Sequence, residues 1–272
     1  RDRDVTGVQT CALPISKSGL TLAPEAGSQR MRDIINKRVT EEEILNAVEH
    51  AFSAGYSRIK LYFMIGLPGE TDEDVLAIGE LAKTIRKIGR DVVKRPTVVV
   101  SASGFVPKAH TPFQWEASLA PDELMRRQKL LRSALRGPGF QYRYHDVWQT
   151  RLEAVFARGD RRLSGALELA YQKGRRFDAW TEDSDQKQWD EVFLQSGVDV
   201  EFYAHRVRDE HEVFPWDHLQ SGVRKGFLLD QRHLAMKGNV TSDCRGAECT
   251  GCGVCPDLGV EVHLARVRED NL

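Results

Sequence analysis

The stretch RIKLYFMIGLPGE, residues 58–70, decides the fold that this sequence predicts. It begins with a nearly continuous apolar run and ends in a segment with two glycines and a proline. A short apolar run of this kind is typical of a strand that is covered on both faces of a parallel sheet. Parallel strands are joined by crossover connections, which are usually helices, so helices are expected on both sides of this strand.

A capped helix is predicted directly upstream. Residues 38–55, RVTEEEILNAVEHAFSAG, contain a capping box, with Thr40 as the N-cap and Glu43 three positions later. Their apolar residues recur at helical spacing, and Gly55 suits the position that ends a helix.

A second helix and two further strands complete the pattern. Residues 71–89 start at a capping threonine and are expected to end at Gly89. Strands are predicted at 19–27 and at 97–107, so the elements follow the order β-α-β-α-β. This order indicates a parallel α/β unit.

The remainder of the chain is predicted to be helical up to a cysteine-rich tail. Helical segments are expected at 121–137, at 147–174 with a break at Gly159, at 185–196 and at 223–238. The chain therefore divides into an atypical stretch at 1–16, the α/β unit at 17–116, a helical extension at 117–240 and the cysteine-rich tail at 241–272.

Residues 1–16, RDRDVTGVQTCALPIS, do not share the composition or periodicity of the residues that follow. The part VTGVQTCALPI looks like the conceptual translation of a common DNA-sequencing adapter. We therefore expect an artefact or a disordered segment here, and a natural sequence that starts near Lys17. The chain is then expected to be a fragment of a longer reading frame.

Composition and charge favour a globular protein. Of the 272 residues, 41% are hydrophobic and 29% are charged, which provides enough apolar material for a buried core. The formal net charge of −1 gives no electrostatic reason for binding bulk nucleic acid or a membrane surface. No run reaches the roughly 18 apolar residues of a transmembrane helix. No signal-peptide pattern precedes the α/β unit, so a cytoplasmic location is expected.

Four of the five cysteines lie within DCRGAECTGCGVCP, residues 243–256. They are Cys244, Cys249, Cys252 and Cys255, and a proline follows the last of them. In a reducing compartment, clustered cysteines are typical metal ligands. The C-x2-C-x2-C-P run is close to the spacing that bacterial ferredoxins use, which favours a [4Fe–4S] cluster. Zinc is the alternative, although zinc sites usually pair two separated C-x2-C segments.

Three stretches together resemble the radical SAM superfamily, whose members use S-adenosylmethionine (SAM). They are GLTLAPEAGSQRMRDIINKRVTEEEI at 19–44, KLYFMIGLPGETDEDV at 60–75 and SGFVPKAHTPFQW at 103–115. More narrowly, they look like the cobalamin-binding radical SAM proteins that are often found beside a small radical SAM-associated domain. The resemblance extends from Gly19 to about Pro256.

The resemblance implies the C-terminal half of a partial (β/α)6 TIM-like barrel over residues 17–116, with SAM across the carboxyl ends of the strands. In this superfamily a [4Fe–4S] cluster, held by a C-x3-C-x2-C loop, cleaves SAM to a 5′-deoxyadenosyl radical. The present sequence has no C-x3-C-x2-C. We therefore expect an enzyme as the full-length gene product, with cobalamin as a further candidate cofactor, and no radical formation by this chain alone. The four cysteines of the tail would then hold an auxiliary cluster or zinc.

The resemblance also implies cofactor-binding residues, whereas the substrate and the catalytic residues stay unknown. Glu25, at the end of the first strand, is expected near the SAM ribose, because a carboxylate accepts hydrogen bonds from hydroxyls. Lys37 and Arg38 are expected either to meet the SAM carboxylate or to be solvated charges.

Residues at two further strand ends are expected near the adenine. They are Ile65, Gly66 and Leu67 after the second strand, and Val106 and Pro107 after the third. A glycine at such a position lets the backbone approach a ligand closely. A tight turn that leads into the next helix is the alternative interpretation of the first group.

Two other functions compete with a SAM-dependent radical enzyme of unknown substrate. One is a non-catalytic iron–sulfur or zinc module that docks a partner, and a small radical SAM-associated domain protein is the partner that the resemblance suggests. The other is an RNA-modifying enzyme similar to the methylthiotransferases, because basic and aromatic residues alternate in the helical extension. Those residues are Arg158, Arg161, Arg162, Lys173, Arg175 and Arg176, with Tyr171, Phe177 and Trp180. Solvated helix faces are the simpler interpretation of these charges.

Overall fold

Four parallel strands form the centre of the protein. In the computed structural model, which describes residues 19–178, 185–246 and 248–261, neighbouring strands follow the order of the chain. The strands are β1 Leu20–Glu25, β2 Arg58–Ile65, β3 Thr97–Gly104 and β4 Phe140–Tyr144. The predicted α/β class is confirmed, and the sheet is consistent with part of a (β/α) barrel. The prediction for residues 1–16 lies outside the described residues.

Helices connect the strands and continue after them. They are α1 Gln29–Ile34, α2 Glu41–Ser53, α3 Asp72–Val92, α4 Pro121–Ala134, α5 Val147–Ala157, α6 Ser164–Gln172, α7 Gln186–Gln195, α8 Lys225–Met236 and α9 Val254–Leu258. A 3-10 turn at Arg161–Leu163 and a π-helical turn at Glu201–His205 lie among them. Across the parts of the chain that the structure describes, none of the helices has the length and apolarity needed to cross a membrane.

Local sequence signals explain the limits of α2. The Thr40 N–H donates to the Glu43 carboxylate at 2.8 Å, and the Glu43 N–H donates to the Thr40 hydroxyl at 3.2 Å, so the predicted capping box is confirmed. Gly55 follows the helix with a φ of 90°. This left-handed conformation is the usual one for a glycine that ends a helix.

The end of α3 corrects one prediction. The helix continues to Val92 and does not end at Gly89. A Cβ at Gly89 would lie 2.6 Å from Phe52 Cζ and 2.7 Å from Pro96 Cβ. The glycine therefore allows α3 to pack closely on its neighbours, a role that is not visible in a local helix-end pattern.

β4 and α1 are absent from the sequence prediction. β4, FQYRY, has five residues of intermediate or exposed character, and it pairs with β3 so that Val98 lies opposite Phe140. α1 has six residues and is capped by the Ser28 hydroxyl. Elements of this length contain too few repeats of the helical or strand period to be recognised from the pattern alone.

The hydrophobic core consists of several clusters. The main cluster lies between the sheet and the helices α2, α3 and α4, and includes the fully buried Val48, Ile78 and Val100. A second cluster joins α5, α6 and α7. A third brings Leu67, just after β2, together with Ala235 of α8. This third cluster places α8 at the carboxyl edge of the sheet.

Candidate functional site

The carboxyl ends of the strands meet at one edge of the sheet, because all of the paired strands run in the same direction. β1 reaches this edge at Glu25, whose φ of 68° lies in the left-handed region. The pairing of β1 with β2 also shifts register between Leu22 and Glu25. A non-glycine residue in this conformation costs backbone energy, and such residues concentrate at functional sites.

Glu25 and Lys37 lie together at this edge. Lys37 Nζ donates to Glu25 Oε1 at 3.3 Å, and each of the two side chains is 30% exposed. A partly exposed ion pair of this kind contributes about 1 kcal/mol or less. Both side chains can therefore exchange this contact for one with a ligand at small cost.

Arg38 has different partners from its neighbour Lys37. The Arg38 guanidinium donates to the Thr241 carbonyl at 2.6 Å and lies 3.3 Å from the Asp243 carboxylate. The chain turns sharply here, since Asn36 and Arg38 each have a φ of 53°. Of the two cations that the sequence predicts for a carboxylate ligand, Lys37 is thus the one beside Glu25, and Arg38 binds the segment before the first tail cysteine.

The loop after β2 is held by a buried carboxylate that the sequence prediction missed. Gly66 has a φ of 92°. Its N–H donates to Glu70 Oε2 at 2.7 Å. The same oxygen accepts a hydrogen bond from Arg127 Nη1 at 2.8 Å. Burial raises the pKa of Glu70 to about 7, against the opposing effect of these two hydrogen bonds. A glutamate at the end of a Gly-x-Pro-Gly turn is the signal that could have revealed this contact.

A cavity of about 500 Å³ opens at the carboxyl edge. Its walls come from the ends of β2 and β3, from the segments that follow β3 and β4, and from α8. They include Met64, Leu67, Gly104, Val106, Phe113 and Ala235. This volume and this predominantly apolar lining are typical of a small-molecule site.

The predicted adenine-binding residues are divided between this cavity and the core. Leu67 and Val106 line the cavity and are 3% and 7% exposed. Pro107 is buried beside Val106. Ile65 belongs to the main core cluster and is 1% exposed. Its packing therefore does not support the prediction that it contacts the adenine.

The exposed surface of the cavity is mostly apolar, and polar side chains lie along its border. Lys108 Nζ donates to the Glu153 carboxylate, and both residues line the cavity. His145 follows β4, and its carbonyl accepts a hydrogen bond from Gln128 Nε2 at 2.9 Å. A mostly apolar cavity with polar groups along its border suits a ligand that has a flat apolar part and polar ends.

The four predicted metal ligands border a second, smaller cavity of about 130 Å³. All four are free cysteines. The Gly251 N–H donates to Cys249 Sγ at 3.4 Å. Within the described ranges, no group of three or more His, Cys, Asp or Glu side chains is arranged to hold a metal ion. The predicted ligands therefore share one cavity, and the metal remains a prediction.

One basic residue of the helical extension, Arg158, lies in the interior of the protein and not on its surface. Arg158 is fully buried, and its guanidinium donates to the carbonyls of Ala204 and Arg206 at 2.7 and 2.9 Å. Arg158 is therefore not part of a surface patch, which corrects that part of the RNA interpretation. RNA binding by the other cations remains a prediction, and Trp180 lies outside the described residues.

A comparison with known protein families finds a match in the segment that contains the first two strands. Residues 15–82 match the family model described as Radical SAM superfamily. This segment includes β1, α1, α2, β2 and the first half of α3. A radical SAM superfamily domain is therefore present in this part of the chain.

Among curated proteins, the chain is similar to the uncharacterized protein MJ0966 of Methanocaldococcus jannaschii. The two are 36% identical over 151 residues, which cover 56% of this chain and 32% of that protein. The chain thus spans about a third of the length of the relative that it matches. No solved structure matches the chain. Because the relative is itself uncharacterized, the similarity carries no information about a substrate.

Proposed function

We propose that this chain forms the SAM-binding part of a radical SAM enzyme, with SAM at the carboxyl edge of the sheet. The cavity of about 500 Å³ at that edge carries the proposal. The family match of residues 15–82 supports it, because that segment supplies two of the strands whose ends meet there. Parallel α/β proteins commonly bind ligands outside the carboxyl ends of their strands.

The binding of SAM would be divided between apolar and polar residues of this chain. Leu67 and Val106 would pack against the adenine, because they line the cavity. Glu25 is not among the residues that line the cavity but lies at the same edge of the sheet, and it would accept hydrogen bonds from the ribose hydroxyls. Lys37 would pair with the SAM carboxylate, and it is favoured over Arg38, whose guanidinium is engaged elsewhere.

In this superfamily, SAM and a reduced [4Fe–4S] cluster together supply the radical. The sequence offers no C-x3-C-x2-C set of cysteines that fits this cluster. We therefore assign to this chain the binding and orientation of SAM, and no later step of the reaction. The substrate, the use of cobalamin and the association with a small radical SAM-associated domain protein remain predictions of the sequence resemblance.

Equilibrium dialysis with radiolabelled SAM tests this proposal on the purified chain. Glu25→Gln retains the shape of the side chain and removes its charge, and Glu49→Gln on an exposed position of α2 is the matched control. We expect Glu25→Gln to weaken SAM binding about tenfold, as the loss of a charge-assisted hydrogen bond does. The control should bind like the wild type.

Two results would contradict the proposal. One is a wild-type chain that binds no SAM, which would favour the alternative of a non-catalytic metal-binding module. The other is equal SAM binding by Glu25→Gln and by the control, which would remove Glu25 from the site.

A further inference from the structure

The cysteine-rich tail is joined to the wall of the large cavity. Asn239 and Thr241 line that cavity, and Cys244 lies three positions beyond Thr241. Arg38 also binds this stretch, since its guanidinium donates to the Thr241 carbonyl at 2.6 Å. Residues 239–243, here called the linking segment, are therefore shared between the cavity and the cysteines.

The tail is also fixed at the start of α8. The Arg224 N–H donates to the Cys252 carbonyl at 2.9 Å. The Arg224 guanidinium donates to the two carboxylate oxygens of Asp257 at 2.6 and 2.9 Å. Because Arg224 is the N-cap of α8, the cysteine loop is connected to both ends of a helix that itself lines the cavity.

Within the described residues the four thiols are not arranged around a metal ion, but they border the same small cavity. All four cysteines border one cavity of about 130 Å³. Gly251 and Gly253 have φ values of 75° and 98°, which allow the loop to turn around it. The Gly251 N–H donates to Cys249 Sγ at 3.4 Å, and hydrogen bonds to the sulfurs are a regular feature of iron–sulfur ligation.

The spacing of the cysteines favours a cluster over a single zinc ion. The C-x2-C-x2-C-P run is close to the ferredoxin spacing, whereas zinc sites usually pair two separated C-x2-C segments.

We propose that Cys244, Cys249, Cys252 and Cys255 ligate a [4Fe–4S] cluster, and that this cluster holds the linking segment in place as a wall of the large cavity. Each cysteine would supply one thiolate to one iron. The spacing of these ligands differs from the C-x3-C-x2-C of the superfamily, so this would be a separate cluster. The proposal does not depend on SAM binding.

Anaerobic reconstitution of the 272-residue chain with iron and sulfide tests the ligand set. We expect a broad visible absorbance and about four irons per chain. Cys252→Ser should lose most of both signals. Cys11→Ser is the matched control, because it removes the fifth cysteine of the sequence and should leave the iron content unchanged.

Three outcomes would overturn the cluster. These are stoichiometric zinc without colour, no bound metal, and an iron content that Cys252→Ser and Cys11→Ser affect equally.

Hydrogen exchange tests the second half of the proposal. Amides of residues 239–243 should exchange more slowly in the cluster-loaded chain than in the metal-free chain. In the loaded chain, Arg38→Ala should speed this exchange about tenfold, as expected for one lost hydrogen bond from a charged group. Arg90→Ala, at an exposed position of α3 away from the tail, is the control.

Exchange that does not change on loading would overturn the link between the cluster and the cavity wall. Equal effects of Arg38→Ala and Arg90→Ala would overturn the role of Arg38 in that link. Neither measurement uses SAM, so failure here is distinguishable from failure of the proposed function.

Discussion

Glu70 fixes the geometry of the loop that enters the large cavity. Its side chain is 2% exposed, and one of its oxygens accepts hydrogen bonds from the Gly66 N–H and from Arg127. A buried carboxylate is costly unless such partners satisfy it. Since Leu67 follows Gly66 directly and lines the cavity, the position of this predicted adenine contact depends on the Glu70 carboxylate.

The raised pKa of Glu70 predicts a pH dependence of stability. Burial raises this pKa from 4.5 to about 7, so the folded state binds the proton more tightly than the unfolded state does. The resulting contribution to the free energy of unfolding is fully present below pH 4.5 and is lost as the pH rises through about 7. Urea unfolding at about pH 5 and about pH 8 measures it.

Two variants make this measurement specific. Glu70→Gln cannot titrate, so the wild type should lose stability relative to Glu70→Gln as the pH rises. Glu73→Gln, at an exposed position of α3, should follow the wild type. A constant difference between the wild type and Glu70→Gln at both pH values would show that Glu70 does not titrate in this range.

The position of Leu67 and Val106 near the carboxyl edge of the sheet could be predicted from the sequence, and their contact with a ligand remains a prediction. Leu67 and Val106 each lie two positions after the ends of β2 and β3, and both line the cavity. The partners of Arg38 were not predictable, because Thr241 lies 203 positions away along the chain. Local patterns carry no information on contacts of that separation.

The close packing of α3 on its neighbours depends on Gly89. Gly89 lies within the helix and faces Phe52 of α2 and Pro96 before β3. Helix propensity alone would favour alanine over glycine here by about 1 kcal/mol. The close contacts act in the opposite direction, because the added Cβ would lie 2.6 Å from Phe52 Cζ.

We therefore predict that Gly89→Ala destabilises the protein. We expect the free energy of unfolding to fall by about 1–3 kcal/mol, the usual effect of overpacking a core. Gly165→Ala in α6 is the control, since its added Cβ would have no atom within 4 Å, and it should be neutral or stabilise by up to about 1 kcal/mol. Equal gains for both variants in urea unfolding would contradict the packing role of Gly89.

The long elements were predictable because their signals are local and repeated. α2 has its capping box and its apolar stripe in one continuous segment, and β2 is a continuous apolar run. β4 and α1 are too short to carry such a signal. The end of α3 was mispredicted because Gly89 packs against residues outside its own helix.

At the scale of the whole molecule, the parallel sheet, α8 and the linking segment border one cavity. α8 returns to the carboxyl edge through Ala235 and Leu67, and the linking segment continues from it to the cysteines. The α/β class could be predicted from the order of the elements. The return of α8 could not, because it depends on contacts between residues far apart in the sequence.

Hydrogen exchange of the purified chain with and without saturating SAM tests the central claim most directly, because it locates the bound ligand. We predict that SAM slows exchange at the carboxyl edge, in Met64–Leu67 and in Ser103–Val106, where both segments line the cavity. Exchange that is unchanged in these two segments, or protection confined to other parts of the chain, would contradict a SAM site at this edge.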